Sequence, residues 1–79
     1  MKAEIYSRNN CVFCDKAKMR LAKHNPKIYM LDKDYTREEF CQKFPNAKTF
    51  PQIIINDNHI GTYNELEKWL EMNSFDEKF

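Results

Sequence analysis

Charge of one sign, long apolar runs, repeats and abundant cysteine are all missing from this 79-residue chain, and each absence excludes something. Thirteen Lys and Arg stand against twelve Asp and Glu, so the totals carry no electrostatic footprint for DNA, RNA or an anionic membrane. No apolar run is long enough to span a bilayer, and the N-terminus lacks the h-region of a signal peptide. The chain is therefore expected to stay in the cytoplasm. Three cysteines in a compartment that keeps thiols reduced make no disulfide framework; they point to redox chemistry, a metal or ordinary packing. No linker or low-complexity tract appears, and the length allows one domain over residues 1–79. A domain of this size buries only about 60% of the surface its unfolded chain exposes. With a single glycine and a mean hydropathy of −0.83, its core must be compact. A hydrophobic share of 42% argues against disorder.

What is present is an alternation of strand and helix patterns. Met1 to Tyr6 reads as a first strand, with the strand character clearest from Ala3 to Ser7. Cys14, Ala17 and Leu21 then fall at helical spacing, with Asp15, Lys16, Lys18, Arg20 and Lys23 on the wet side. Asn25-Pro26 ends that helix, because the residue before a proline avoids the α region. Ile28-Tyr29-Met30-Leu31 is an unbroken apolar run, as suits a strand covered on both faces. Thr36-Arg37-Glu38-Glu39 is a capping box that places a second helix at about residues 37 to 43, with Phe40 and Phe44 as its apolar stripe. Pro51 to Ile55 is strand-like, and the turn Asn56-Asp57-Asn58 before His59-Ile60 predicts an antiparallel hairpin closed by Gly61. A third helix carries Leu66, Trp69 and Leu70 on one face. The order βαβαββα predicts an α/β fold, a four-stranded mixed sheet with about three helices on both faces.

Cys11-Val12-Phe13-Cys14 sits where the first strand hands over to the first helix. The first turn of a helix has unpaired N–H groups and partial positive charge, which favour a thiolate. A free cysteine with a pKa of about 8.5 is mostly protonated at neutral pH, so lowering that value makes the nucleophile. Cys14 lies nearly one turn on and can reach Cys11 after a mixed disulfide has formed there. The spacing casts Cys11 as attacking and Cys14 as resolving, with positive charge available from Arg8 and Lys16. Half of a zinc site has the same spacing. Cys41, His24 and His59 are further ligand types, but none forms a second paired unit, and the strand-to-helix context favours redox chemistry.

The chain resembles the glutaredoxin family over nearly its whole length. The likeness is carried by Arg8-Asn9-Asn10-Cys11-Val12-Phe13-Cys14, by Thr49-Phe50-Pro51-Gln52, by His59-Ile60-Gly61 and by Thr62-Tyr63-Asn64-Glu65. The short length is similar to that of compact dithiol glutaredoxins of bacteria and phages. The resemblance implies a thioredoxin-like fold, glutathione as reductant and co-substrate, no metal, and a monomer. It implies reduction of protein disulfides and glutathionylated proteins, ribonucleotide reductase being one client it suggests. The potential it implies is about −200 to −230 mV. It also implies that Pro51 is cis against the cysteines, with the backbone of Phe50 pairing with glutathione like one rung of a sheet. By position, Phe13 would flank the tripeptide, Arg8 and Lys48 would meet its glycine carboxylate, and Asn64 and Glu65 would hold its γ-glutamyl end. Thr49 and Thr62 complete the expected contacts. The departures are Val12 for proline, Phe13 for tyrosine, Thr62 for a second glycine and Glu65 for aspartate; they bear on how strongly glutathione is held.

Plainer readings stand beside these. Cys41 is expected to be buried or idle. His24 and His59 read as ordinary surface or loop residues. Thr62 and Glu65 also form a capping box, as do Asn64 and Glu67. A thioredoxin-like reductant recycled by a flavoprotein reductase is the nearest alternative function. A zinc module, or an iron–sulfur carrier using Cys11 and glutathione across a dimer, is the alternative from another class.

Overall fold

The computed structural model describes residues 2–73; Met1 of the expected first strand lies outside them. Strand β1 (Ala3–Ser7) leads into helix α1 (Val12–Arg20), and β2 (Lys27–Met30) follows a single 3-10 turn at Ala22–His24. Helix α2 (Arg37–Lys43), the hairpin β3 (Gln52–Ile55) and β4 (Asn58–Gly61), and helix α3 (Tyr63–Met72) complete the order. The sheet runs β2-β1-β3-β4, with β2 parallel to β1 and the other two pairs antiparallel. This is the α/β architecture expected from the pattern.

Local chemistry explains most boundaries. Asn25 sits in the left-handed region at φ 50°, which a short polar side chain tolerates, and stops the 3-10 turn before Pro26. Thr36 accepts the N–H of Glu39 while Glu39 accepts the N–H of Thr36, so α2 begins on a complete capping box. Asn56 and Asp57 both have positive φ, the two-residue turn whose twist matches flanking strands.

The sheet separates two cores. Ile5, Ile53 and Ile55 pack with Ala17 and Leu21 of the α1 segment and with Leu66 and Leu70 of α3. Tyr35, Phe40, Phe44 and Ile54 make the other, with Tyr6, Tyr29 and Phe50 packed against it. One expectation fails here. The run at residues 28–31 is not covered on both faces, because β2 is an edge strand and Ile28 is 39% exposed. The parallel partner β1, not β2, takes the centre of the sheet. Cys41 is exposed on α2, so it is no core residue.

Candidate active site

The β1–α1 junction delivers the cysteines. Asn10 takes a positive φ of 56° and turns the chain, so that Cys11 enters α1 as its N-cap in an extended conformation. There its Sγ accepts the backbone N–H of Cys14 at 3.1 Å, a sulfur standing where a capping oxygen usually does. An N–H aimed at that sulfur favours negative charge on it. Cys11 and Cys14 are disulfide-bonded, with their Cα atoms 5.2 Å apart. Cys14 is fully buried on the inner face of α1 and Cys11 is half-buried at its tip. An incoming disulfide can therefore reach Cys11 and not Cys14.

Cys11 opens into a cleft of about 630 Å³. The cis Phe50–Pro51 peptide and Thr49 form one wall. Phe50 lies face to face with Phe40 behind it, ring centroids 4.5 Å apart, and the Arg8 guanidinium rests over Phe50 at 5.7 Å. Thr62 and Asn64 approach from the start of α3, and Phe13 stands half exposed beside Tyr63, centroids 5.9 Å apart. Lys48 joins the lining. Arg8, Arg37 and Lys48 all line the cleft, and no carboxylate does so among the described residues.

Two expected site residues have other engagements. Lys16 places its ammonium over the Phe13 ring at 5.1 Å. Glu65 does not line the cleft; its carboxylate accepts the Thr62 N–H at 2.9 Å and a short bond from the Thr62 hydroxyl. The Thr62 hydroxyl, more than any other group, holds the Glu65 carboxyl below the ordinary glutamate range. Of the two overlapping capping boxes, Thr62–Glu65 is the one formed, while Glu67 pairs with Arg20 at 3.0 Å. Arg37 carries no expected role, and Tyr63 enters the sequence pattern only inside Thr62-Tyr63-Asn64-Glu65. Arg37 was visible only as the first residue inside a capping box, and nothing local says that α2 begins beside the cysteines. His24, His59 and Cys41 are not gathered with the pair, and no group of three His, Cys, Asp or Glu side chains placed to hold a metal is found among the described residues.

Fold and site define the class: a thioredoxin-like domain with a Cys-x-x-Cys pair at the tip of its first helix. The glutaredoxin family model matches residues 3–60. A probable glutaredoxin of Synechocystis sp. is 35% identical over 68 residues, covering 82% of this chain and 62% of the relative. Glutaredoxin 1 of Escherichia coli is 28% identical over 82 aligned positions, covering 92% and 96%. The crystal structure of glutaredoxin 1 from Francisella tularensis superposes with a TM-score of 0.77 at 29% identity, over 94% of this chain and 96% of that one. The chain belongs to the glutaredoxin family. It spans about three-fifths of the length of the Synechocystis relative and nearly all of the other two. Among the described residues no helix is long and apolar enough to cross a membrane.

Proposed function

We propose that the chain is a glutathione-dependent thiol–disulfide oxidoreductase acting in a reducing compartment, the cytoplasm, as a monomer. The observation that carries this reading is the cleft itself: a half-buried Cys11 beside three cations with no carboxylate among the lining residues. Glutathione brings two carboxylates and one sulfur, and such a cleft complements both. In the proposed cycle the Cys11 thiolate attacks the glutathione sulfur of a mixed disulfide and releases the client's thiolate. A second glutathione then displaces the first as glutathione disulfide, or Cys14 attacks Cys11 and releases glutathione. The second route ends in a bonded Cys11–Cys14 pair that two further glutathiones reduce. Arg8, Arg37 and Lys48 would meet carboxylates, the Thr49-Phe50-Pro51 wall would pair with the tripeptide backbone, and Phe13, Thr62 and Asn64 would flank it. Glu65 would act through Thr62. Clients would be glutathionylated proteins and protein disulfides, with ribonucleotide reductase as one candidate.

Turnover of a glutathionylated peptide by glutathione, coupled to a glutathione-disulfide reductase, tests this. Cys11→Ser is expected to abolish turnover, whereas Cys14→Ser keeps activity on the mixed disulfide and loses it on an internal protein disulfide. An active Cys11→Ser variant overturns the nucleophile. Recycling only by a flavoprotein thioredoxin reductase overturns the glutathione dependence.

A further inference from the structure

Gln52 and His59 lie outside the cleft that holds Cys11, yet both are tied to its wall. Gln52 opens β3 directly after Pro51 and is 3% exposed. A buried primary amide has donors and an acceptor to satisfy. Its Nε2 donates to the Thr49 carbonyl at 2.9 Å. A carbonyl only accepts, so this contact fixes which end of the amide faces Thr49. The amide oxygen is then left facing His59 Nε2, 2.7 Å away. That oxygen also only accepts, so His59 must carry a proton on Nε2. The imidazole is itself seated against the ring of buried Phe44, centroids 4.7 Å apart. A directed chain of donors therefore runs from His59 through Gln52 to the Thr49 carbonyl.

The wall at Thr49-Phe50-Pro51 is thus held twice from behind. Stacking on Phe40 fixes the ring of Phe50, and the Gln52 amide fixes the backbone one residue earlier. The second hold matters more for recognition, because backbone N–H and C=O groups give a bound peptide its register. A carbonyl that loses a buried donor turns toward water, and a small misplacement of a binding group carries a large penalty in complex formation.

We propose that Gln52, oriented by His59, is a positioning residue for the cleft, latching the Thr49 carbonyl so that the backbone of Phe50 is set to bind the glutathionyl group. The inference rests on the glutathione reading given above. It assigns Gln52 no part in the sulfur chemistry, since neither cysteine touches the chain of bonds.

The test compares the full chain with Gln52→Glu and His59→Phe. A glutamate keeps the length and the acceptor for His59 but loses the donor to Thr49. A phenylalanine keeps a ring against Phe44 but loses the donor to Gln52. With a glutathionylated peptide as substrate, Gln52→Glu is expected to raise KM about fivefold to tenfold, the worth of one hydrogen bond, with kcat within about twofold. His59→Phe should raise KM in the same direction by about twofold to threefold. The Cys11 thiolate titration, followed by ultraviolet absorbance, should stay unchanged in both. The chemical shift of the Phe50 amide nitrogen, which shares a peptide unit with the Thr49 carbonyl, should move in the same order when measured without substrate. A folded Gln52→Glu protein with wild-type KM and a wild-type Phe50 amide shift overturns the latch. So does a variant in which kcat and the thiolate titration shift along with KM, which marks a general loss of structure. A wild-type chain that does not turn over the peptide defeats the glutathione reading instead, and the Phe50 amide shift alone then decides whether the latch exists.

Discussion

The face of the sheet under α1 and α3 has an aliphatic buried core with Ile60, Tyr63 and Trp69 at its margin, whereas the face under α2 is built on aromatic rings with a broader partly buried margin. Ile5, Ala17, Leu21, Ile53, Ile55 and Leu66 have no exposed surface at all. Across the sheet, Tyr6, Tyr29, Leu31, Ala47 and Phe50 are only partly buried around Tyr35, Phe40 and Phe44. The difference follows from the covering elements, since two helices of nine and ten residues close the first face and one of seven covers the second. Branched aliphatics interdigitate where both sides are fixed. Large rings fill the space beside a short helix and meet edge-on or stacked, as Tyr6 does with Tyr29, Tyr35 and Phe44. The closed face carries Cys14 on α1, and the aromatic face ends at Phe50 in the cleft wall. The cleft thus draws on both faces, with Cys11 and the start of α3 supported by the closed one and the Phe50 wall by the looser aromatic one.

Truncations on the two faces are the strongest way to break that division. Leu66→Ala removes a fully buried side chain from the closed face and is expected to cost about 2–5 kcal/mol in urea unfolding. For a domain near 80 residues, total stability is about 4–12 kcal/mol, so this one change approaches unfolding. The fraction that remains folded should bind substrate as the wild type does. Phe40→Leu is expected to cost less, about 1–3 kcal/mol, because a large apolar side chain is kept while ring contacts to Tyr35, Phe44 and Phe50 are lost. It should nonetheless raise KM, since Phe50 loses its stacking partner. Equal KM values in the two variants would remove the distinction between the faces.

The features legible in the sequence were those set by neighbours along the chain. The Thr36–Glu39 capping box, the Asn56–Asp57 turn and the placement of Cys11 at a helix tip each depend on a few consecutive residues. The cis state of Pro51 was anticipated only through the family likeness, and the bond is cis. What escaped was decided by partners distant in sequence. Ile28 belongs to an apolar run that reads as buried, but strand order puts β2 at an edge. Cys41 is a different case: it lies one residue after buried Phe40, and the turn of about 100° per residue carries it off the Phe40–Phe44 stripe into solvent, so local periodicity alone removes the buried half of its expectation. Arg37 enters the cleft because α2 packs over the aromatic face, and the Gln52–His59 bond joins two strands of a hairpin. Periodicity reports a face but not what covers it.

A smaller effect separates the faces by pH. Tyr35 donates its hydroxyl to the Ser7 carbonyl at 2.6 Å, and burial, then the neighbouring Tyr6, push its pKa up to about 12. The folded value lies above the unfolded value of about 10. The stability it adds is therefore fully present below about pH 10 and is lost as pH rises through 12. Tyr35→Phe is expected to cost about 1 kcal/mol at neutral pH, at the modest end because the Ser7 carbonyl keeps the N–H of Leu31 at 3.0 Å. Urea midpoints of variant and wild type should converge between pH 10 and 12. A constant gap across that range would mean that the aromatic face does not feel this ionisation.

The acid limb probes the other face, through the helix that closes it. Glu65 caps α3, and its carboxyl is depressed chiefly by the Thr62 hydroxyl and then by the Thr62 N–H. A depressed folded value makes the contribution present above the unfolded glutamate pKa of about 4.3, and it is lost as pH falls through the folded value. The side chain is exposed and well screened, so Glu65→Gln should cost only about 0.5 kcal/mol at pH 7. The glutamine oxygen can still accept the Thr62 N–H, which leaves the charge as the main loss. Unfolding midpoints followed from pH 6 to pH 3 should show the wild type descending to meet the variant. If the gap persists to pH 3, the capping of α3 depends on shape and not on ionisation. The helix that closes this face would then be indifferent to acid, and its contrast with the aromatic face would rest on the alkaline limb.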